Sequence, residues 1–289
     1  MKPVALSALT AAALGAAVLF SRPGEAVPAE QPAGDAIPAP RVAVVAKDGY
    51  RFVSSNGIPD HETGSFPHRR CPNAMTEQRH EFRVPLNPKA AATPTPLRMH
   101  DFGVAVNGIP FDPFAAEWWE RDRTSGWQYE PMSSAINLGL DAGNAHVQPT
   151  GAYHYHGLSR LLMAKRGGTA GKVLQVGWAA DGFPMYADTG HKAAADAASP
   201  VVVLKSSYRL KQTERPTGPG GAPDGSFEQD YEYVAGLGDL DECNGRTGVT
   251  PEHPGGTYYY VVTAGYPYVP RQYRGTPDPS FFRRGPKKK

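Results

Sequence analysis

The sequence predicts a mainly β protein: an antiparallel, sandwich-like or barrel-like domain with long Gly/Pro-rich loops, or at most an α+β domain with few short helices. Three observations lead there. The 32 glycines and 29 prolines make 61 of 289 residues, about one in five against roughly 12% in average usage, which suits many turns between short strands. The apolar residues alternate with period two over several short stretches and nowhere sustain a helical period beyond about a dozen residues. The 14 Tyr, 11 Phe and 4 Trp supply aromatic mass suited to a β core and to a concave site.

The elements follow in order. Residues 1–26 carry Lys2, an apolar run from Val4 to Phe20, and small residues at Gly24 and Ala26. They read as a secretory signal peptide, or as a membrane anchor if residues 4–20 are not cleaved. No Cys follows the run, so a lipoprotein acylation site is not expected. Residues 27–41 read as a Pro/Ala/Glu-rich linker. A single domain is expected over 42–282, followed by a basic disordered tail, 283–289.

Within the domain, Val42–Val45, Arg51–Ser54 and Arg83–Pro85 read as short strands. Phe102–Val106 is a strand ending at the Asn107-Gly108 turn signal. Ala115–Trp119 is expected to form a turn or two of helix. Trp127–Glu130 and Ala135–Leu140 are expected to be extended or mixed. Leu158–Arg166 is the best short helix, and Val173–Ala179 is a buried strand. Val201–Leu204, Ser207–Leu210, Phe227–Val234 and Thr257–Thr263 are further strands, and 213–227 is a long loop.

Net charge is +2, so no global field draws nucleic acid and no specific nucleic-acid binding is expected. Export places the two cysteines, Cys71 and Cys243, under oxidising conditions. A disulfide between them is the favoured expectation; thiolate ligation of a soft metal and unpaired structural cysteines are the alternatives.

Tyr153-His154-Tyr155-His156 is the sharpest chemical signal. In a strand, His154 and His156 share one face while Tyr153 and Tyr155 share the other. Pro149-Thr150-Gly151 is a plausible three-residue hairpin loop with Gly where positive φ is needed. That register sets His146 opposite His154, so three imidazoles meet on one face. A two-residue loop would instead set Tyr153 opposite His146. Three imidazoles with an open position suit Zn²⁺, and imidazole also suits copper. The bland alternative is three partly buried histidines satisfied by hydrogen bonds.

Other candidates are weaker. Asp239-Leu240-Asp241-Glu242-Cys243-Asn244-Gly245 fails the EF-hand spacing. Asp241 or Glu242 could still serve as a general base or extra ligand, although a self-capped turn is the plainer reading. Asp181 ends an apolar strand, where a site residue or an ordinary Asp-Gly turn would both fit. His61-Glu62 and His80-Glu81 lack the second His of a zincin helix. No nucleophile elbow, P-loop or dinucleotide fingerprint occurs.

Taken with Ser55–His61, Val104–Pro110, Gly177–Tyr186, Gly238–Arg246 and Pro254–Tyr268, the His-rich segment resembles the YHYH-domain family of exported proteins. The resemblance implies a secreted, periplasmic or surface protein and names no substrate. It also implies that the second Tyr-rich segment, Tyr258-Tyr259-Tyr260-Val261, often carries His at the position of Tyr259. If the two segments face one another, Tyr259 replaces an imidazole, or its phenol lines the site beside Tyr153 and Tyr155.

The expected function is transition-metal binding (copper or zinc) by an exported protein through His146, His154 and His156. The alternatives are a metal-dependent hydrolase, lyase or copper oxidoreductase, and a non-catalytic recognition module for a small molecule or a cell-envelope glycan.

Overall fold

The computed structural model describes residues 37–169 and 171–282. The expected signal peptide, most of the linker and the basic tail lie outside the described residues. No helix among the described residues is long and apolar enough to cross a membrane.

The fold is mainly β, and among the described residues no sheet closes into a barrel. A three-stranded antiparallel sheet comes first: β1 (Val42–Lys47), β2 (Tyr50–Ser55) and β3 (His80–Pro85). β1 forms its outer edge and is exposed along its length. β4 (Thr95–Pro96) pairs with the late strand β17 (Gln272–Tyr273).

The central sheet has eight strands. They are β5 (Gly103–Ala105), β6 (Pro110–Phe111), β7 (Ala145–Val147), β8 (Tyr153–Tyr155), β9 (Gln175–Ala179), β10 (Pro184–Tyr186), β15 (Gly245–Thr250) and β16 (His253–Val261). Their spatial order is β15-β16-β10-β9-β5-β6-β8-β7. Two small hairpins, β11 (Thr189–His191) with β12 (Val201–Val203) and β13 (Tyr208–Leu210) with β14 (Tyr231–Tyr233), decorate it. α1 (Arg160–Lys165) starts at Ser159, whose hydroxyl accepts the Leu162 N–H, the usual N-cap device.

This order hides a two-fold repeat. A tight hairpin, β5–β6, runs parallel to the inner strand of a second hairpin, β7–β8. The hairpin β9–β10 relates in the same way to β15–β16. The halves join where β5 pairs with β9: Val104 faces Trp178, flanked by Gly103 against Ala179 and Ala105 against Gly177. The glycines match too. A Cβ on Gly103 would sit 2.5 Å from Trp178 O, and one on Gly177 would collide with Val104 O. Bare glycine lets the strands meet at the seam.

The main core lies against this sheet and draws on both halves, including Phe102, Ile109, Phe111, Tyr153, Met185, Tyr260 and Val262. Phe102 stacks on Tyr273 with ring centroids 4.8 Å apart. A smaller cluster of Tyr186, Leu204, Leu240, Tyr259 and Val261 covers part of the other face in the second half.

Two expectations are corrected. Ala115–Trp119 is not a helix: Trp118 bridges Gln128 in extended geometry, and a 3₁₀ turn begins only at Trp119. The disulfide does not form; Cys71 and Cys243 are both free and buried. Cys71 Sγ donates to Val147 O on β7, at one edge of the eight-stranded sheet. Cys243 sits in the turn entering β15, at the other edge. A disulfide needs Cα atoms within about 7 Å, and adjacent strands are already about 4.8 Å apart.

Candidate metal centre on the β7–β8 hairpin

The hairpin is closed by Pro149-Thr150-Gly151. Gln148 N donates to Ala152 O at 2.9 Å and Gly151 N to Gln148 O at 2.8 Å. Gly151 has φ +83, and a Cβ there would overlap Thr76 Oγ1. The three-residue loop fixes the pairing: Ala145 opposite Tyr155, His146 opposite His154, Val147 opposite Tyr153.

The three imidazoles therefore converge. His154 Nε2 lies 2.9 Å from His156 Nε2, which lies 3.2 Å from His146 Nε2. One nitrogen from each ring falls within 4.8 Å of the others. Tetrahedral ligands at Zn–N distances of 2.0–2.1 Å would stand about 3.3 Å apart, so the observed spacing is that of a ligand set drawn slightly inward.

The outer nitrogens favour the same reading. His146 Nδ1 donates to Leu138 O at 2.9 Å. A carbonyl can only accept, so the Nε2 lone pair of His146 points into the cluster, the arrangement by which metal-bound histidines are usually oriented. His154 Nδ1 makes a longer contact, 3.4 Å, with Ala152 O. His156 Nδ1 is buried with no partner in hydrogen-bond geometry, facing the Asp112 backbone. Burial lowers the pKa of His146, and burial together with His154 and His146 holds that of His156 well below the usual value. Neutral imidazoles are the form that ligates.

The cluster opens on a cavity of about 390 Å³, lined in part by Met99, Asp112, Phe114, Glu117, Asn137 and Leu138. Asp112 follows β6, and its amide donates to Tyr155 O at 2.9 Å. Its carboxylate accepts Phe114 N at 3.1 Å and Gln148 Nε2 at 3.3 Å. Neither Asp112 nor Glu117 was marked by any local sequence signal. Both reach the hairpin through the parallel pairing of Phe111 with Tyr155.

The other expected site residues lie elsewhere. Tyr153 and Tyr155 point to the opposite face of β8, as alternation demands. The Tyr153 hydroxyl donates to Asp141 Oδ2 at 2.8 Å. His61 Nδ1 donates to Glu62 O, which leaves its Nε2 to accept from the Tyr155 hydroxyl at 2.5 Å. That hydroxyl in turn accepts from Asn107 Nδ2 at 3.0 Å. These tyrosines anchor the hairpin and do not line the cluster.

Asp241, Glu242, Asp181 and Tyr259 belong to the second half. Asp241 does there what Asp141 does in the first: each carboxylate caps the turn into its hairpin, at Gly143 N and Ala145 N, or at Cys243 N and Gly245 N. Each also accepts a tyrosine hydroxyl, Tyr153 or Tyr258. Asn144 and Asn244 take the same left-handed turn, φ 56 and 54. Asp181 matches Asn107, accepting the Tyr260 hydroxyl at 2.5 Å; burial pushes its pKa up to about 6. Glu242 contributes its backbone carbonyl to the Tyr208 hydroxyl at 2.7 Å. The outward face of the second hairpin differs. Arg246 stands opposite Tyr259 where His146 stands opposite His154. Arg246 Nε donates to the Tyr259 hydroxyl at 2.7 Å, and Val261 takes the place of His156. The two Tyr-rich strands do not face one another; they lie toward opposite ends of one sheet.

Sheet and cluster together define a mainly β protein with an internally repeated framework and a three-histidine group on one copy of its hairpin. The family model described as YHYH protein matches residues 81–275, more than half of the chain. The chain belongs to the YHYH protein family. No curated protein and no solved structure matches it.

Proposed function

We propose that this is an exported protein that binds one transition-metal ion, zinc or copper, through Nε2 of His146, His154 and His156. The observation that carries the reading is internal to the chain. The second hairpin keeps the turn, the capping aspartate and the anchoring tyrosines while carrying Arg246, Tyr259 and Val261 in place of the histidines. The framework therefore folds without imidazoles, and three of them set about 3 Å apart, with His154 and His156 buried, call for another purpose. The donor set is all nitrogen, which suits Zn²⁺ and Cu²⁺ alike.

The test is metal content and affinity of the purified chain. One equivalent of zinc or copper is expected, and the double variant His154→Ala/His156→Ala should lose it. Absence of stoichiometric metal in protein loaded with either ion would end the reading. Export is tested separately: the mature protein recovered outside the cytoplasm should begin at residue 27.

A further inference from the structure

We infer that the centre is hydrolytic, with Glu117 as the general base acting on a small uncharged carboxylic ester held in the adjoining cavity. This rests on the metal reading above and goes beyond it. A structural zinc site closes its fourth position with a protein ligand, whereas a catalytic one leaves it open. Among the described residues, no fourth His, Cys, Asp or Glu joins the three imidazoles, and the same imidazoles line a cavity of about 390 Å³. That volume falls at the small end of ligand pockets.

The carboxylates on its wall do not join the three imidazoles, so either is a candidate for proton work. Asp112 already holds Phe114 N and Gln148 Nε2. The Glu117 side chain makes no hydrogen bond or ion pair among the described residues, and it is exposed at the cavity wall.

Phe114, Leu138, Val147 and Pro149 make much of the wall apolar, and its charged groups are the carboxylates Asp112 and Glu117 and the guanidinium of Arg70. That lining suits an uncharged substrate better than a phosphate ester. A zinc ion held by the three imidazoles would supply a polarised water; Glu117 would take its proton, and the resulting hydroxide would add to the ester carbonyl carbon. The bond from that carbon to the alcohol oxygen then breaks, and Glu117 returns its proton to the leaving oxygen. Ester and water become acid and alcohol, with no redox partner.

The test uses the full chain loaded with zinc, with p-nitrophenyl acetate and bis(p-nitrophenyl) phosphate as probes. Zinc-dependent ester hydrolysis is expected, and Glu117→Gln should keep one zinc while losing at least about 100-fold in kcat. An unchanged rate in zinc-loaded Glu117→Gln overturns the role of Glu117. Zinc bound without ester turnover above the metal-free chain overturns hydrolysis and leaves the metal reading standing. Faster turnover of the phosphate diester overturns the substrate class. Failure to bind zinc or copper at all removes the metal reading, and this inference with it.

Discussion

His146 stands directly across the β7–β8 ladder from His154, and the turn at Gly151 sets that pairing. The relationship depends on a backbone conformation that only glycine adopts without strain. Gly151→Ala places a Cβ at φ +83 and against Thr76. It should lower unfolding free energy by roughly 1–3 kcal/mol, seen in denaturant melts. It should also weaken metal binding at least tenfold by calorimetry, because the ligands lose their register.

The repeat supplies a matched control. Arg246 and His146 occupy the same position in their hairpins. His146→Ala should weaken metal binding by about 100-fold or more, since it removes a ligand outright. Arg246→Ala should leave metal stoichiometry unchanged, though it costs stability by stranding the Tyr259 hydroxyl. Equal effects of the two on metal affinity would argue against a site confined to the first hairpin.

Acid should act with opposite signs at two buried groups. Burial lowers His80 from 6.5 to about 4, and its Nε2 has no partner. The unfolded chain then takes the proton first, so stability present above pH 6.5 is lost as pH falls toward 4. Glu228 is raised from 4.5 to about 7 by burial, against the opposing pull of Arg271. The folded chain takes that proton first; the contribution is complete below pH 4.5 and fades as pH rises through 7. Each amounts to at most about 3 kcal/mol. Urea midpoints between pH 8 and 4 should show His80→Gln losing less stability than wild type on acidification. Glu228→Gln should lose more.

Two free thiols make a simple check. Denatured, unreduced protein should release two equivalents in a thiol assay, and the native protein should react slowly at both. Cys71 and Cys243 are buried, and burial followed by Asp241 and Glu242 pushes the Cys243 thiol up to about 12, which suppresses the reactive thiolate. A single disulfide found by mass spectrometry in exported protein would contradict the fold described above.

Much of this site was legible in sequence because its determinants are local. Alternation in Tyr153–His156 and the loop Pro149–Gly151 are enough to fold His146 onto His154. The strands with β-branched alternation were legible for the same reason. What was not legible is long-range. β6 and β10 are two- and three-residue strands starting at proline, too short to show a period. Asp112 and Glu117 sit in Asp-Pro-Phe and Ala-Glu-Trp contexts with no chemical signature, and only the β6–β8 pairing delivers them. Asp181 and Asp241 stood out as carboxylates at strand ends, yet both spend their oxygens on turn amides and tyrosine hydroxyls. The echo at Tyr258–Val261 was visible, but its meaning needed the strand order: it marks a repeat, not an opposed strand.

The seam at Val104 and Trp178 has a consequence for how the chain reaches its native state. Each half consists of two hairpins and a parallel contact between them, and the halves meet edge to edge. Such non-local pairing is slow, so a chain whose halves form before they meet would leave the β5 edge bare. Because the two halves present like edges, the β5 edge of another chain is a natural competitor for the one that β9 should cover. Refolding yield should therefore fall with protein concentration, through exchanged dimers joined at glycine-lined strands, and dilution should restore it.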